Sequence, residues 1–138
     1  INHNNGIYGK LYNWFAVDDS RNICPTGWHV PTKTEWTTLE NYLTADGHSG
    51  TEATALKTTS AWVYNGNGTD DYGFSVLPSG WRHHSQGTFY GENEEAWFWT
   101  STINGSYAYY RYFKYNESFI TENSSTKNQG GYVRCIKD

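Results

Sequence analysis

Val30-Pro31-Thr32-Lys33-Thr34-Glu35-Trp36 marks a helix start more clearly than any other run in this chain of 138 residues. The Thr32 hydroxyl is placed to accept from the amide three residues on, and the Glu35 carboxylate can reach back to the amide of Thr32. Pro31 can staple against Trp36. Trp36, Leu39 and Leu43 then recur at three- and four-residue spacing, which gives one apolar face, and the helix is expected to end near Thr44, before Asp46-Gly47. A shorter helix is expected from Thr51 to Lys57, with Ala53, Ala55 and Leu56 turned inward. His29, one residue before Val30, reads as a buried histidine that orients the helix start, because its neighbours are packing and capping material.

Outside these helices the sequence reads as strand and loop. Gly6 to Val17 alternates Tyr8, Lys10, Tyr12 and Trp14 with Ile7, Leu11 and Phe15, a pattern suited to a strand covered on both faces. Asn65 to Asp71 is a polar, glycine-rich loop, followed by a short strand from Phe74 to Leu77 and a turn at Pro78-Ser79-Gly80. The last third offers strands at Ala96–Thr102, Tyr107–Tyr115 and Gly131–Lys137. A polar stretch from Asn116 to Gln129 adds a further short strand near Phe119 and Ile120. The expectation is an α+β domain in which two helices flank antiparallel sheets. Pairing of Gly6–Val17 with Gly131–Lys137 would set the termini side by side.

Composition narrows the function classes. Ten Lys and Arg stand against fourteen Asp and Glu, for a net charge of −4, and no basic run supplies the footprint that nucleic acid requires. No apolar stretch approaches a membrane span of roughly 20 residues, so insertion of this domain into a membrane is not expected. Aliphatic residues are scarce, but 7 Trp, 12 Tyr and 6 Phe supply large apolar surfaces, which implies a folded domain with an aromatic core. A single domain over residues 1–138, beginning at Ile1 without Met, fits a piece of a longer surface protein. The two cysteines, Cys24 and Cys135, are too far apart for a zinc or redox motif. Either they pair, closing a loop of more than a hundred residues, or they are two separately buried thiols.

Leu11-Tyr12-Asn13-Trp14-Phe15-Ala16-Val17 and Ile23-Cys24-Pro25-Thr26-Gly27-Trp28-His29-Val30-Pro31, with Glu35-Trp36, resemble the start of the Fibrobacter succinogenes major paralogous domain family. Gly73-Phe74-Ser75-Val76-Leu77-Pro78-Ser79-Gly80, Trp99-Thr100-Ser101-Thr102, Ala108-Tyr109-Tyr110-Arg111 and Gly131-Tyr132-Val133-Arg134-Cys135 match its later blocks. The resemblance runs through nearly the whole chain. It implies a C-type-lectin-like fold, of the branch that includes formylglycine-generating enzymes and retroelement-variable receptor-binding proteins, and a secreted or bacterial cell-surface location. It also implies a Cys24–Cys135 disulfide. With both cysteines so committed, the oxidase chemistry of the formylglycine-generating relatives lacks its reactive thiols, and a non-enzymatic domain is expected.

Arg82-His83-His84 with Glu92, Glu94 and Glu95 is the cluster closest to acid–base or metal machinery. Adjacent histidines on an extended segment point to opposite sides, however, so a solvated loop is the expected state. Asn67, Asp70 and Asp71 have oxygens suited to a structural calcium, against the plainer reading of a hydrogen-bonded turn; no cofactor is expected. From Tyr107 to Tyr115 one row is Tyr107, Tyr109, Arg111, Phe113 and Tyr115 and the other Ala108, Tyr110, Tyr112 and Lys114, so one row suits the core while part of the other stays exposed. Tyr and Arg recur at binding hot spots. By analogy with the retroelement-variable relatives, the candidate ligand-binding residues are Asn104, Tyr107, Tyr109, Asn116, Phe119, Glu122 and Ser124. The expected function is adhesion or ligand binding, with a glycan or protein as partner. The alternative is a structural module of a filament or adhesin shaft that self-associates. Of four Asn-X-Ser/Thr patterns, at Asn67, Asn104, Asn116 and Asn123, most are expected to be unmodified if the source is bacterial, as the resemblance implies.

Overall fold

The computed structural model describes residues 6–138; the first five residues of the expected domain lie outside the described part. The predicted first strand is instead a turn, a single bridge and a short helix, α1 (Trp14–Val17). Asn13 overrides the alternating pattern: its side chain accepts from the amide of Ala16 at 3.1 Å and caps the helix. Trp14 is thereby buried, and its indole donates to the carbonyl of Thr100 at 2.8 Å. Tyr12 still pairs with Gly131 as an isolated antiparallel bridge.

The second terminal pairing is a two-residue ladder between β1 (Trp28–His29) and a strand near the C-terminus, Ile136–Lys137. Two early segments, at Tyr12 and at Trp28–His29, therefore lie against the last residues of the chain, held by separate short pairings where one long pair of strands was expected. The Cys24–Cys135 disulfide is formed beside them, with Cα atoms 5.8 Å apart and a sequence separation of 111.

The principal helix, α2 (Lys33–Leu43), begins at Thr32 with both reciprocal bonds of the capping box. A wider turn, Thr44–His48, follows, with Gly47 at φ 99°. Then comes α3 (Glu52–Leu56), in which Ala53, Ala55 and Leu56 are fully buried. The expected strand from Phe74 to Leu77 shrinks to one parallel bridge, Lys57 with Val76.

Five strands form the main sheet: β2 (Ser79–Arg82), β3 (Phe89–Glu92), β4 (Glu95–Asn104), β5 (Tyr107–Lys114) and β6 (Thr121–Thr126), in the order β3-β2-β4-β5-β6. β7 (Ile136–Lys137) completes the set. The sheet is mixed: β2 and β4 run parallel, and the other pairs are antiparallel. The turn expected at Pro78-Ser79-Gly80 is the start of β2. Gly80 adopts φ +69°, and a Cβ there would lie 2.2 Å from the carbonyl oxygen of Tyr90, so only glycine lets β3 approach so closely. The short strand expected near Phe119 and Ile120 begins after them, at Thr121.

Two cores result, one on each side of the sheet. Trp36, Leu43 and Leu56 pack with Ala96, Phe98 and Phe113 on the side of α2. Trp14, Trp97, Trp99, Ala108 and Tyr110 form the other cluster. The arrangement is α+β, as the element order implied.

Candidate functional site

Strand register brings most of the candidate residues together. Asn104 faces Tyr107 across the β4–β5 pair, and Tyr107 faces Thr126 and Tyr109 faces Ser124 across the β5–β6 pair. Residues opposite one another lie on the same face, as do alternate residues along a strand. Asn104, Tyr107, Tyr109, Ser124 and Glu122 therefore share the face of the sheet that also meets α2. The β4–β5 turn at Gly105-Ser106 carries the outer part of this face to the tip of the hairpin.

The tip is exposed and internally braced. Tyr107 is 46% exposed, and Ile103, which pairs with Ala108, is 54% exposed. Asn104 Nδ2 donates to Ser124 Oγ at 3.2 Å, fixing the carboxamide beside the Tyr107 position. Lys33 Nζ lies 4.3 Å from the centre of the Tyr109 ring, covering part of one of its faces.

Further along the face the surface becomes charged and then buried. Glu122, paired in register with Arg111, places one carboxylate oxygen 2.6 Å from Lys33 Nζ and the other 2.7 Å from Arg111 Nη1. Burial pushes Glu122 up, but the hydrogen bond from Lys33 and the charge of Arg111 outweigh it, and the carboxyl sits below its usual range. The Arg111 side chain is 1% exposed and also pairs with Glu40, donating in addition to Thr37 Oγ1 at 3.1 Å. Glu40 moves the other way, raised by burial against the pull of Arg111. Glu122 thus ties β6 to β5 and α2, and its oxygens are committed within the fold.

Asn116 and Phe119 lie past the other end of β5, a strand that spans roughly 24 Å from Tyr107 to Lys114. Phe119 is exposed and borders a polar cleft with Glu40, Thr44 and Glu52. The candidate residues therefore divide into a tip group, one ion-paired member and two residues at the far end. The aromatic row behind the prediction also changes character along the strand: Tyr107 is exposed, Tyr109 partly covered and Phe113 fully buried. The expected split was between the two faces.

The opposite face carries an arrangement that alternation alone did not reveal. Tyr90, Trp81, Trp97 and Tyr110 stack in succession across β3, β2, β4 and β5, with ring centroids 5.1, 4.6 and 4.2 Å apart. Glu95 Oε2 accepts from the Trp81 indole at 3.0 Å. Burial and Glu95 raise Tyr110 to about 12. One-per-strand aromatics at Trp81, Trp97 and Tyr110 were the available signal, but their alignment depended on the unrecognised β2–β3 hairpin.

That hairpin also changes the reading of the histidines. His83 and His84 follow β2 into the loop to β3, where His83 N bonds to the carbonyl of Thr88. Their rings stack at 4.7 Å, on one side of the chain; the opposite-side expectation fails because the segment is a turn. His83 Nδ1 meets Ser85 Oγ, and the His84 amide donates to Gln129. His29 is only half-buried, a correction to the buried reading, yet it does orient the helix start: its two nitrogens meet Glu35 at 2.8 Å and Asp138 at 2.6 Å.

In the loop considered for calcium, Asp70 accepts from the amide and hydroxyl of Ser75, Asp71 from Thr69 and Asn67 from the amide of Trp62. Among the described residues, no group of three or more His, Cys, Asp or Glu side chains is placed to hold a metal ion. No helix among them is long and apolar enough to cross a membrane.

No curated protein and no solved structure matches the chain. The model of the Fibrobacter succinogenes major domain matches residues 1–137. That match runs through both ends of the disulfide, the capped helix and all five strands of the sheet, and the chain belongs to the Fibrobacter succinogenes major domain family.

Proposed function

We propose that this is a non-enzymatic, C-type-lectin-like binding domain of a secreted or cell-surface protein, which takes a glycan or protein ligand at the tip of the β4–β5–β6 surface. The observation that carries the reading is the exposed Tyr107 beside the hydrogen-bonded Asn104–Ser124 pair. Tyr107 supplies an amphipathic ring with few torsions to immobilise, and the braced carboxamide supplies directed hydrogen bonds, so little entropy is lost on binding. The non-enzymatic part draws support from the commitment of several acid and base groups to structural partners: Glu95 to Trp81, Glu122 to Lys33 and Arg111, and His29 to two carboxylates.

Glycan-array and cell-surface protein binding of the domain, with and without EDTA, tests this reading. Tyr107→Ala and Asn104→Ala are expected to weaken the interaction at least about tenfold, as hot-spot truncations do, without moving the unfolding midpoint. Undiminished binding in both variants, or no ligand of either class, would overturn it.

A second reading, a self-associating structural module of a filament or adhesin, is favoured by the other border of the sheet. There the edge strand β3 leaves Phe89 and Tyr90 exposed. Sedimentation that stays monomeric at high concentration would exclude it.

A further inference from the structure

Arg134 is a half-buried guanidinium in an unusual position. It stacks over Phe74, 3.8 Å from the ring centre, and accepts no help from a carboxylate: it makes no hydrogen bond or ion pair among the described residues. The charge of Asp70 reaches it, but both Asp70 oxygens are bonded to Ser75, at 2.7 and 2.6 Å. A half-buried guanidinium without a carboxylate partner keeps its fork of donors for a ligand, and a bidentate carboxylate matches that fork best.

Arg134 borders a cavity of about 200 Å³ whose apolar walls include Trp36, Leu39, Phe74 and Ile136. The other charged group on its wall, Glu35, is already engaged: one oxygen meets His29, and the other accepts from the amide and hydroxyl of Thr32. Trp36 is 3% exposed and lends the cavity its apolar ring surface; its indole Nε1 is enclosed within the core. The cavity thus combines ring-sized apolar volume with one guanidinium that has no carboxylate partner among the described residues, and the acidic group on its wall is saturated. For scale, an apolar cavity of about 150 Å³ can hold a benzene molecule.

We propose that this cavity is a binding site for a small aromatic monocarboxylate, whose ring fills the space against Trp36, Leu39 and Ile136 while its carboxylate pairs with Arg134. The site is separate from the hairpin tip, since none of the tip residues borders the cavity, and each stands or falls on its own test.

Phenylacetate and its uncharged counterpart phenylacetamide, titrated into the unaltered, isotopically labelled domain and followed by NMR, provide the test. Phenylacetate is expected to shift the Trp36 indole N–H and the Arg134 side-chain N–H resonances with a millimolar Kd, the affinity within reach of a ligand of this size. Phenylacetamide is expected to bind at least about tenfold more weakly. Arg134→Gln is expected to erase the difference between acid and amide. Equal shifts from the two compounds, or none at Trp36, would overturn the assignment, and this acid–amide comparison holds even if the variant fails to fold.

Discussion

On the side of the sheet that meets α2, Phe98, Phe113 and Ala96 pack against Trp36 and Leu43, and the buried Arg111 joins Glu40 and Glu122 at the margin of that core. On the other side only the four-residue α1 and irregular segments are at hand, and Trp81, Trp97 and Tyr110 cover one another ring against ring. A helix brings its own apolar stripe and its own charges; a face without one must exclude water with its own side chains. The difference bears on function as well. The inner rings of the stack have both faces occupied, so they have no flat surface to give to a sugar. Ring faces for a ligand must come from the exposed end of the stack, Tyr90, or from residues outside it, such as Tyr107.

The charged margin is expected to be the more fragile of the two. Arg111→Met removes a buried cation from Glu40 and Glu122 and should lower stability by about 3–5 kcal/mol in urea unfolding, the usual consequence of leaving buried charge uncompensated. A loss below about 1 kcal/mol would show that the two carboxylates find water instead.

On the aromatic face, a double-mutant cycle with Trp81→Leu and Trp97→Leu should return a coupling of about 0.5–1.5 kcal/mol, the worth of a ring pair beyond its buried area. A coupling near zero would mean that the rings act only as bulk.

The smallest effect separates the faces by pH. Hydrogen bonds from the His29 ring to the Asp138 and Glu35 carboxylates raise His29 above its ordinary value of 6.5, so its contribution to stability is complete below pH 6.5 and is lost as pH rises through the folded-state value. Glu35, lowered from its ordinary 4.5 by the Thr32 amide and by His29 despite some burial, contributes above pH 4.5 and loses that contribution as pH falls through its folded-state value. Thermal midpoints should therefore decline on the alkaline side of pH 6.5 in the native protein, and His29→Gln should flatten that decline. Identical slopes would remove His29 from the account.

Local chemistry was legible in the sequence wherever it sufficed. Thr32 and Glu35 satisfy helix amides with their own side chains, so the start of α2 followed from four residues, and the alternation of Tyr107–Lys114 predicted β5. What escaped prediction depended on distant partners. Trp14 reads as a strand residue until Thr100 is there to accept its indole. β2 and β3 hide in a polar, glycine-containing stretch because their stability comes from pairing in register. The tip group was named by analogy alone, and nothing local announces that Lys33 and Arg111 will meet the Glu122 carboxylate. The Arg134 cavity went unnoticed since its walls come from three separated segments.

The indoles of Trp81 and Trp97 lie 4.6 Å apart with planes tilted by only 14°. Chromophores so close exchange excitation, so the pair should absorb and rotate light as one unit. The near-ultraviolet dichroism of this protein would then carry an optical signature of one half of its interior, allowing melting of that half to be watched separately from the helix.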